Sequence, residues 1–218
     1  MHTRREGVAI SRGVRGGGIV FPKGVRRVKR KNFGFLLLKG LGFVVLGNVL
    51  CTVMTCAVYV FGNNLITRAL SISFGSIIFY SLIFSFGWKE GLREQSLVRY
   101  KRVSRGKKYR VLYAGAIMYV FAVIPSVVLL FNKLFFPERD ILMVYQLLSG
   151  SAFPFVQAFI PPVSAEVAWE GTELLRINNM SAAFPVLMCV YYLLIPALAQ
   201  LGFYTGFKNI LTSDMMYK

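Results

Sequence analysis

Three carboxylates, Glu166, Glu170 and Glu173, recur at i, i+4 and i+7 and so share one face of any helix that carries them. Carboxylates grouped in that way can hold a cation or relay a proton. Val167, Leu174 and Ile177 fall on a different face, and a solvated acidic edge above a lipid-buried stripe accounts for the same spacing. A second set is neutral. Asn48, Thr52 and Thr55 also follow i, i+4, i+7, inside a long apolar run. With Gln200 they are the polar groups placed either to line a solute path or to bond one helix to the next. Ser104-Arg-Gly-Lys107 matches the serine-x-x-lysine of some acyl-transfer enzymes, but it stands in a basic loop without the companion motifs. Gly16-Gly17-Gly18 lacks the Gly-Lys-Ser/Thr ending of a phosphate loop. The one histidine is His2, and Cys51, Cys56 and Cys189 lie in apolar runs without metal-ligand spacing. These patterns supply no catalytic residue, metal set or cofactor fingerprint, so no enzymatic activity and no cofactor is expected.

The elements that carry these residues belong to a membrane. Of 218 residues 56% are hydrophobic and 16% charged, against about a quarter charged in a soluble domain, and mean hydropathy is +0.57. Charge is missing from whole runs of spanning length. The expected fold is all-α and polytopic, with four transmembrane helices at 41–61, 69–88, 111–131 and 184–207. Leu41–Phe61 is too long for the apolar part of a cleaved signal and is expected to be retained. Pro125 should kink the third span, with Ser126 beside it satisfying freed backbone groups.

Between the last two spans, 141–177 reads as a broken and amphipathic segment on the outer side. Ile141–Ala165 is uncharged and long enough to cross, but Gly150, Pro154 and the pair Pro161-Pro162 interrupt it. A short helix over Ile141–Leu148 is expected, then a broken stretch on or dipping into the outer leaflet. Residues 1–32, with ten Lys or Arg and one Glu, read as a disordered basic tail, and 33–218 as a single membrane domain.

Charge sets the orientation. The connector between the second and third spans carries Lys89, Arg93, Arg99, Lys101, Arg102, Arg105, Lys107, Lys108 and Arg110 against Glu90 and Glu94. With both termini cytoplasmic, 22 of the 26 basic residues lie inside, in keeping with the positive-inside rule. The nine connector cations are expected at an anionic inner leaflet, with part of the connector helical on the headgroups and Lys39 snorkelling to the surface. A net charge of +17 is thereby assigned to lipid, and no nucleic-acid partner is expected. No Asp, Glu, His, Lys or Arg falls within the spans except Lys39 at the inner end of the first, which argues against a proton-coupled pump.

Gly87-Trp88-Lys89-Glu90-Gly91 with Arg93-Glu94-Gln95-Ser96-Leu97-Val98, and the ending Gly202-Phe-Tyr-Thr-Gly206-Phe-Lys with Tyr217-Lys218, resemble a group of small four-span membrane proteins of Firmicutes bacteria from Phe33 onward. The resemblance implies a bacterial plasma membrane and four spans, and brings no activity. The expected role is a non-enzymatic accessory or assembly subunit acting through partner proteins, in a homo- or hetero-oligomer. The alternative is a small-solute permease component using Asn48, Thr52 and Gln200.

Overall fold

The structure, a computed structural model, describes residues 32–60, 64–99, 109–136, 141–160 and 180–208. Its described residues are helical, without strands. The elements are α1 (Phe33–Tyr59), α2 (Leu65–Arg99), α3 (Arg110–Phe135), α4 (Leu142–Leu148), α5 (Phe153–Phe159), α6 (Ala183–Tyr192) and α7 (Leu194–Lys208). α1, α2, α3 and the pair α6–α7 are each long and apolar enough to cross a membrane, so the four expected spans are present. Only 22% to 33% of each span's most apolar window is buried inside the protein. Valines such as Val49, Val53 and Val120 are instead more than half exposed. That pattern is stable only where the surroundings are hydrocarbon.

Except at the end of α1, which stops at Tyr59, the helices begin and end beyond the expected limits. α1 starts two turns before Leu41, because Phe33–Gly40 holds no residue that breaks a helix. α2 begins at Leu65, four residues before the expected Ala69, and there the Thr67 hydroxyl accepts the Asn64 N–H at 2.9 Å. The same hydroxyl donates to the Asn64 carbonyl at 2.8 Å, so one side chain satisfies both backbone groups of Asn64 at the helix start. At its other end α2 does not stop at Trp88. It is 35 residues long, about 52 Å at 1.5 Å per residue against a hydrocarbon core of about 30 Å. Lys89–Arg99 is therefore a helical continuation of the span. It forms no separate helix lying along the headgroups.

A single core runs through the helices. Phe79, Ile83 and Phe86 of α2 meet Met118 and Leu129 of α3, Cys51 of α1, and Met188, Tyr192 and Ile195 of α6 and α7, all nearly or fully buried. The most extensive pairing is α2 with α7, and glycine makes it possible. A Cβ on Gly87 would strike the Ala199 carbonyl, and one on Gly91 the Phe203 carbonyl. From the other side, Gly202 lies on the Phe84 carbonyl and Gly206 on that of Trp88. Two G-x-x-x-G faces thus cross with their backbones in contact, where dispersion and close approach replace the hydrophobic effect that lipid cannot supply.

The last span is broken at Leu193, three residues before Pro196. The proline has no N–H for the Tyr192 carbonyl and its ring crowds that turn. Nearby, the Tyr80 hydroxyl of α2 donates to the Tyr191 carbonyl at 2.6 Å, and the Tyr191 hydroxyl donates to Ser76 at 3.2 Å. These bonds tie the break to α2. Pro125 sits within an α3 that remains one helix. Ser126 does not serve the backbone there as expected. Its hydroxyl lies 3.2 Å from that of Tyr145 on α4.

Candidate functional site

The polar groups of the interior gather around the turn between α4 and α5. This turn, Ser149-Gly150-Ser151-Ala152, is buried. Asn48 of α1 holds it. The Asn48 Oδ1 accepts the Ser151 N–H at 3.1 Å and the Ser151 hydroxyl at 2.8 Å, and its Nδ2 donates to the Leu148 carbonyl at 3.4 Å. With the Ser151 proton directed to Asn48, Tyr192 is the donor in the 3.0 Å contact between the two hydroxyls. Gly150 lies against the Asn48 carbonyl and the Thr52 hydroxyl, leaving no room for a Cβ. A turn of backbone is thereby held inside the bundle with its polar groups paired, the condition under which irregular backbone is tolerated at membrane depth.

Its depth follows from the partners. Asn48, Ser126 and Tyr192 lie 9 to 11 residues from the end of their helix opposite the basic face, about 15 Å at 1.5 Å per residue and so close to the middle of the bilayer. The expected short helix is present as α4. The broken stretch that follows dips to mid-depth, the deeper of the two placements expected for it.

The sequence-selected residues divide. Asn48 is the centre of the network. Thr52 is its neighbour, with the hydroxyl donating to the Asn48 carbonyl at 3.0 Å, and Thr55 bonds the Cys51 carbonyl at 2.7 Å within its own helix. Gln200 is not brought to them, being two turns beyond Tyr192 toward the basic face. Ser151, Tyr145 and Tyr192, which complete the network, were not selected from sequence, and Ser126 was expected to serve only its own backbone. A serine or tyrosine in an apolar run carries no mark of its partner. Glu166, Glu170 and Glu173 lie outside the described residues, as do Lys101, Arg102, Arg105, Lys107 and Lys108. Arg99 ends α2 and Arg110 begins α3.

A second cluster occupies the basic face. Glu90, 8% exposed, accepts Lys39 of α1 at 2.6 Å and Arg93 at 3.1 Å, one on each carboxylate oxygen. Glu94, one turn on, is equally buried. Lys39, a third exposed, is therefore paired with a carboxylate at the basic face. The Lys89 ammonium lies 5.7 Å from the centre of the Phe43 ring. Breaking the pair leaves one charge poorly solvated, so Glu90→Gln is expected to cost roughly 1–3 kcal/mol, below the 3–5 of fully buried pairs. The double change Lys39→Met with Glu90→Gln should recover part of that loss in thermal unfolding. A double variant less stable than Glu90→Gln alone would show that the pair is not the source.

The chemistry open to the central network is limited to hydrogen bonding. Ser151 is partnered by an amide and a phenol, and Ser126 by a phenol, so neither hydroxyl has the adjacent base that a nucleophile needs. Among the described residues no three of His, Cys, Asp and Glu come together as metal ligands. No protein-family model, no curated protein and no solved structure matches this chain.

Proposed function

We propose that this protein is a non-catalytic membrane subunit that acts through contacts with partner proteins. The observation that carries the reading is the pairing of mid-depth polar groups with one another. Asn48, Ser151, Tyr192, Ser126 and Tyr145 bond across α1, α3, α4 and α6, which makes the interior a cross-braced support. In this reading the basic face is cytoplasmic, against the anionic leaflet of a bacterial plasma membrane, and part of α2 stands out from that leaflet. Affinity isolation of the full chain in nanodiscs tests it. Reproducible co-purification of the same proteins is expected, and a monomer with no companion would overturn it. Orientation is tested separately, with a reporter inserted at 101–108. Replacing the nine connector Lys and Arg by Gln should weaken or scramble its cytoplasmic placement, since each contributes about 1 kcal/mol at an anionic surface. An unchanged reporter would remove the topological role of these cations.

One observation favours a permease component instead: the broken α4–α5 segment brings Asn48, Thr52 and Ser151 together at mid-depth, where transporters place substrate sites. Liposome uptake over a panel of small polar solutes distinguishes the two. Transport lost in Asn48→Leu would favour the permease, and no uptake of any solute favours the subunit.

A further inference from the structure

Beside α7, the lipid-facing side of α2 carries an open groove of about 580 Å³, walled by Ile77, Tyr80, Phe84 and Trp88 with Leu198 of α7. Its ends lie at definite depths. Arg68 and Lys89 bound the uncharged stretch of α2, which centres on Ile78 and Phe79. Tyr80 is therefore close to the midplane, at the level of Tyr192, whose ring lies 6.1 Å from that of Phe79. There the groove meets α6: Tyr80 donates to the Tyr191 carbonyl, and the Tyr191 hydroxyl donates to Ser76. Trp88 ends it at the other side, eight residues past Tyr80 and beside Lys89. That is about 12 Å nearer the basic face at 1.5 Å per residue, where indole rings prefer to sit. The groove therefore lies within the leaflet on the basic face and stops near the midplane.

Those dimensions select the occupant. A transmembrane helix, from this chain or another, crosses both leaflets, about 30 Å, and is about 10–12 Å across. Spread over the roughly 18 Å from Ser76 to Trp88, the groove has a cross-section of about 32 Å² and a width of roughly 6 Å. A helix would rest on its rim and leave Ser81 and Ser85, the small residues of the lining, without contacts. An acyl chain is a single file of methylenes that runs from the headgroups to the midplane, and it matches both length and width. The two serines ask nothing of it, since each hydroxyl can turn to the carbonyl one turn back, as those of Thr52 and Thr55 do. We propose that the groove is a lipid-binding site that holds one acyl chain of a phospholipid from the leaflet on the basic face, with Trp88 at the level of its glycerol. The site reads the chain and not the headgroup, because the nearby cations turn elsewhere: Lys89 to Phe43, Arg93 to Glu90 and Lys208 to Tyr204. The bound chain touches α2 and Leu198 together, one turn before Gly202, and so packs the same helix pair that the glycines bring into contact.

Photolabelling of the full chain in mild detergent provides the test. The probe is a phosphatidylcholine with a diazirine at the middle of one acyl chain, titrated into delipidated protein before irradiation. Label on the 77–88 stretch of α2 is expected to saturate at one probe per chain. At Val53 of α1 and Val120 of α3, which face lipid without a groove and are 58% and 57% exposed, label should stay low and rise in proportion to the probe added. Ser81→Phe with Ser85→Phe fills the groove and should reduce the 77–88 signal to the level of those two faces. Unchanged labelling at Val53 and Val120 in that variant reports that the bundle is intact. The saturation measurement on the wild type needs no variant and stands even if the double change impairs folding. Proportional labelling at all three places would mean that the groove meets only ordinary boundary lipid, and would overturn the proposal. Absence of label at 77–88 in the wild type would assign the groove to something other than an acyl chain and overturn it equally.

Discussion

Replacing Gly87 or Gly202 by leucine is expected to prevent the chain from reaching its folded state, whereas the same change at Gly34 or Gly42 leaves the unfolding temperature almost unchanged. At the first two positions even a Cβ collides with a backbone carbonyl of the opposing helix. A carbonyl in a helix cannot rotate away as the end of a side chain can, so the helices must part. Separation would also undo the contact of Gly91 with Phe203 and of Gly206 with Trp88, because the four glycines share one crossing. Overpacking costs about 1–3 kcal/mol for a modest excess of volume. A leucine forcing two backbones apart exceeds that and approaches the whole stability of roughly 5–15 kcal/mol available to a domain. The helix propensity gained on leaving glycine, about 1 kcal/mol, does not offset it. Gly34 and Gly42 meet nothing within 4 Å, and there the propensity gain stands alone. Size-exclusion profiles and thermal unfolding in detergent separate the outcomes. A Gly202→Leu protein that melts with the wild type would show that α2 and α7 are not in backbone contact.

Asn48→Leu is the second large effect, with an expected loss of roughly 2–4 kcal/mol. Its three hydrogen bonds are unequal. Without Asn48 the Ser151 hydroxyl keeps Tyr192, but the Ser151 N–H, which donates to Asn48, has no alternative acceptor in the turn. An orphaned buried donor costs about 1–3 kcal/mol, more than the bond itself contributes. Leucine beside Gly150, where no Cβ fits against α1, adds a packing fault. Thr52→Val should cost under about 1 kcal/mol, since its hydroxyl bonds only the carbonyl one turn back. Amide exchange across 145–156 reports the effect locally. Fast exchange there in Asn48→Leu, with α2 and α7 still protected, is the expected pattern. Uniform acceleration would mean that Asn48 supports the whole bundle and does not act on the turn alone.

The four spans were legible because lipid imposes a constraint that can be counted: about 20 apolar residues without charge. Charge asymmetry gave an expectation of direction by the same route. The limits of α2 were not legible. Lys89–Arg99 reads as a basic connector, helical in part along the headgroups, and it continues α2 instead because Glu90, Glu94 and Leu97 find buried places against the bundle. The carboxylate that neutralises Lys39 is 51 residues away in sequence, and spacing along the chain says nothing about it. Gly202-x-x-x-Gly206 could be recognised as a packing face, but its partner Gly87-x-x-x-Gly91 is separated from it by the third span and the broken segment.

Asn48 shows the division most clearly. The sequence alone determined that an amide must sit within an apolar run, where it cannot remain unbonded. Tertiary structure decided that its partner is a backbone turn 103 residues on, which proline and glycine had marked only as a place where the helix fails. Hydrophobic period and charge are local properties, fixed by each residue's own transfer from water. Hydrogen-bond partners and backbone contacts depend on which helices become neighbours, and that is decided by the packing of the whole bundle.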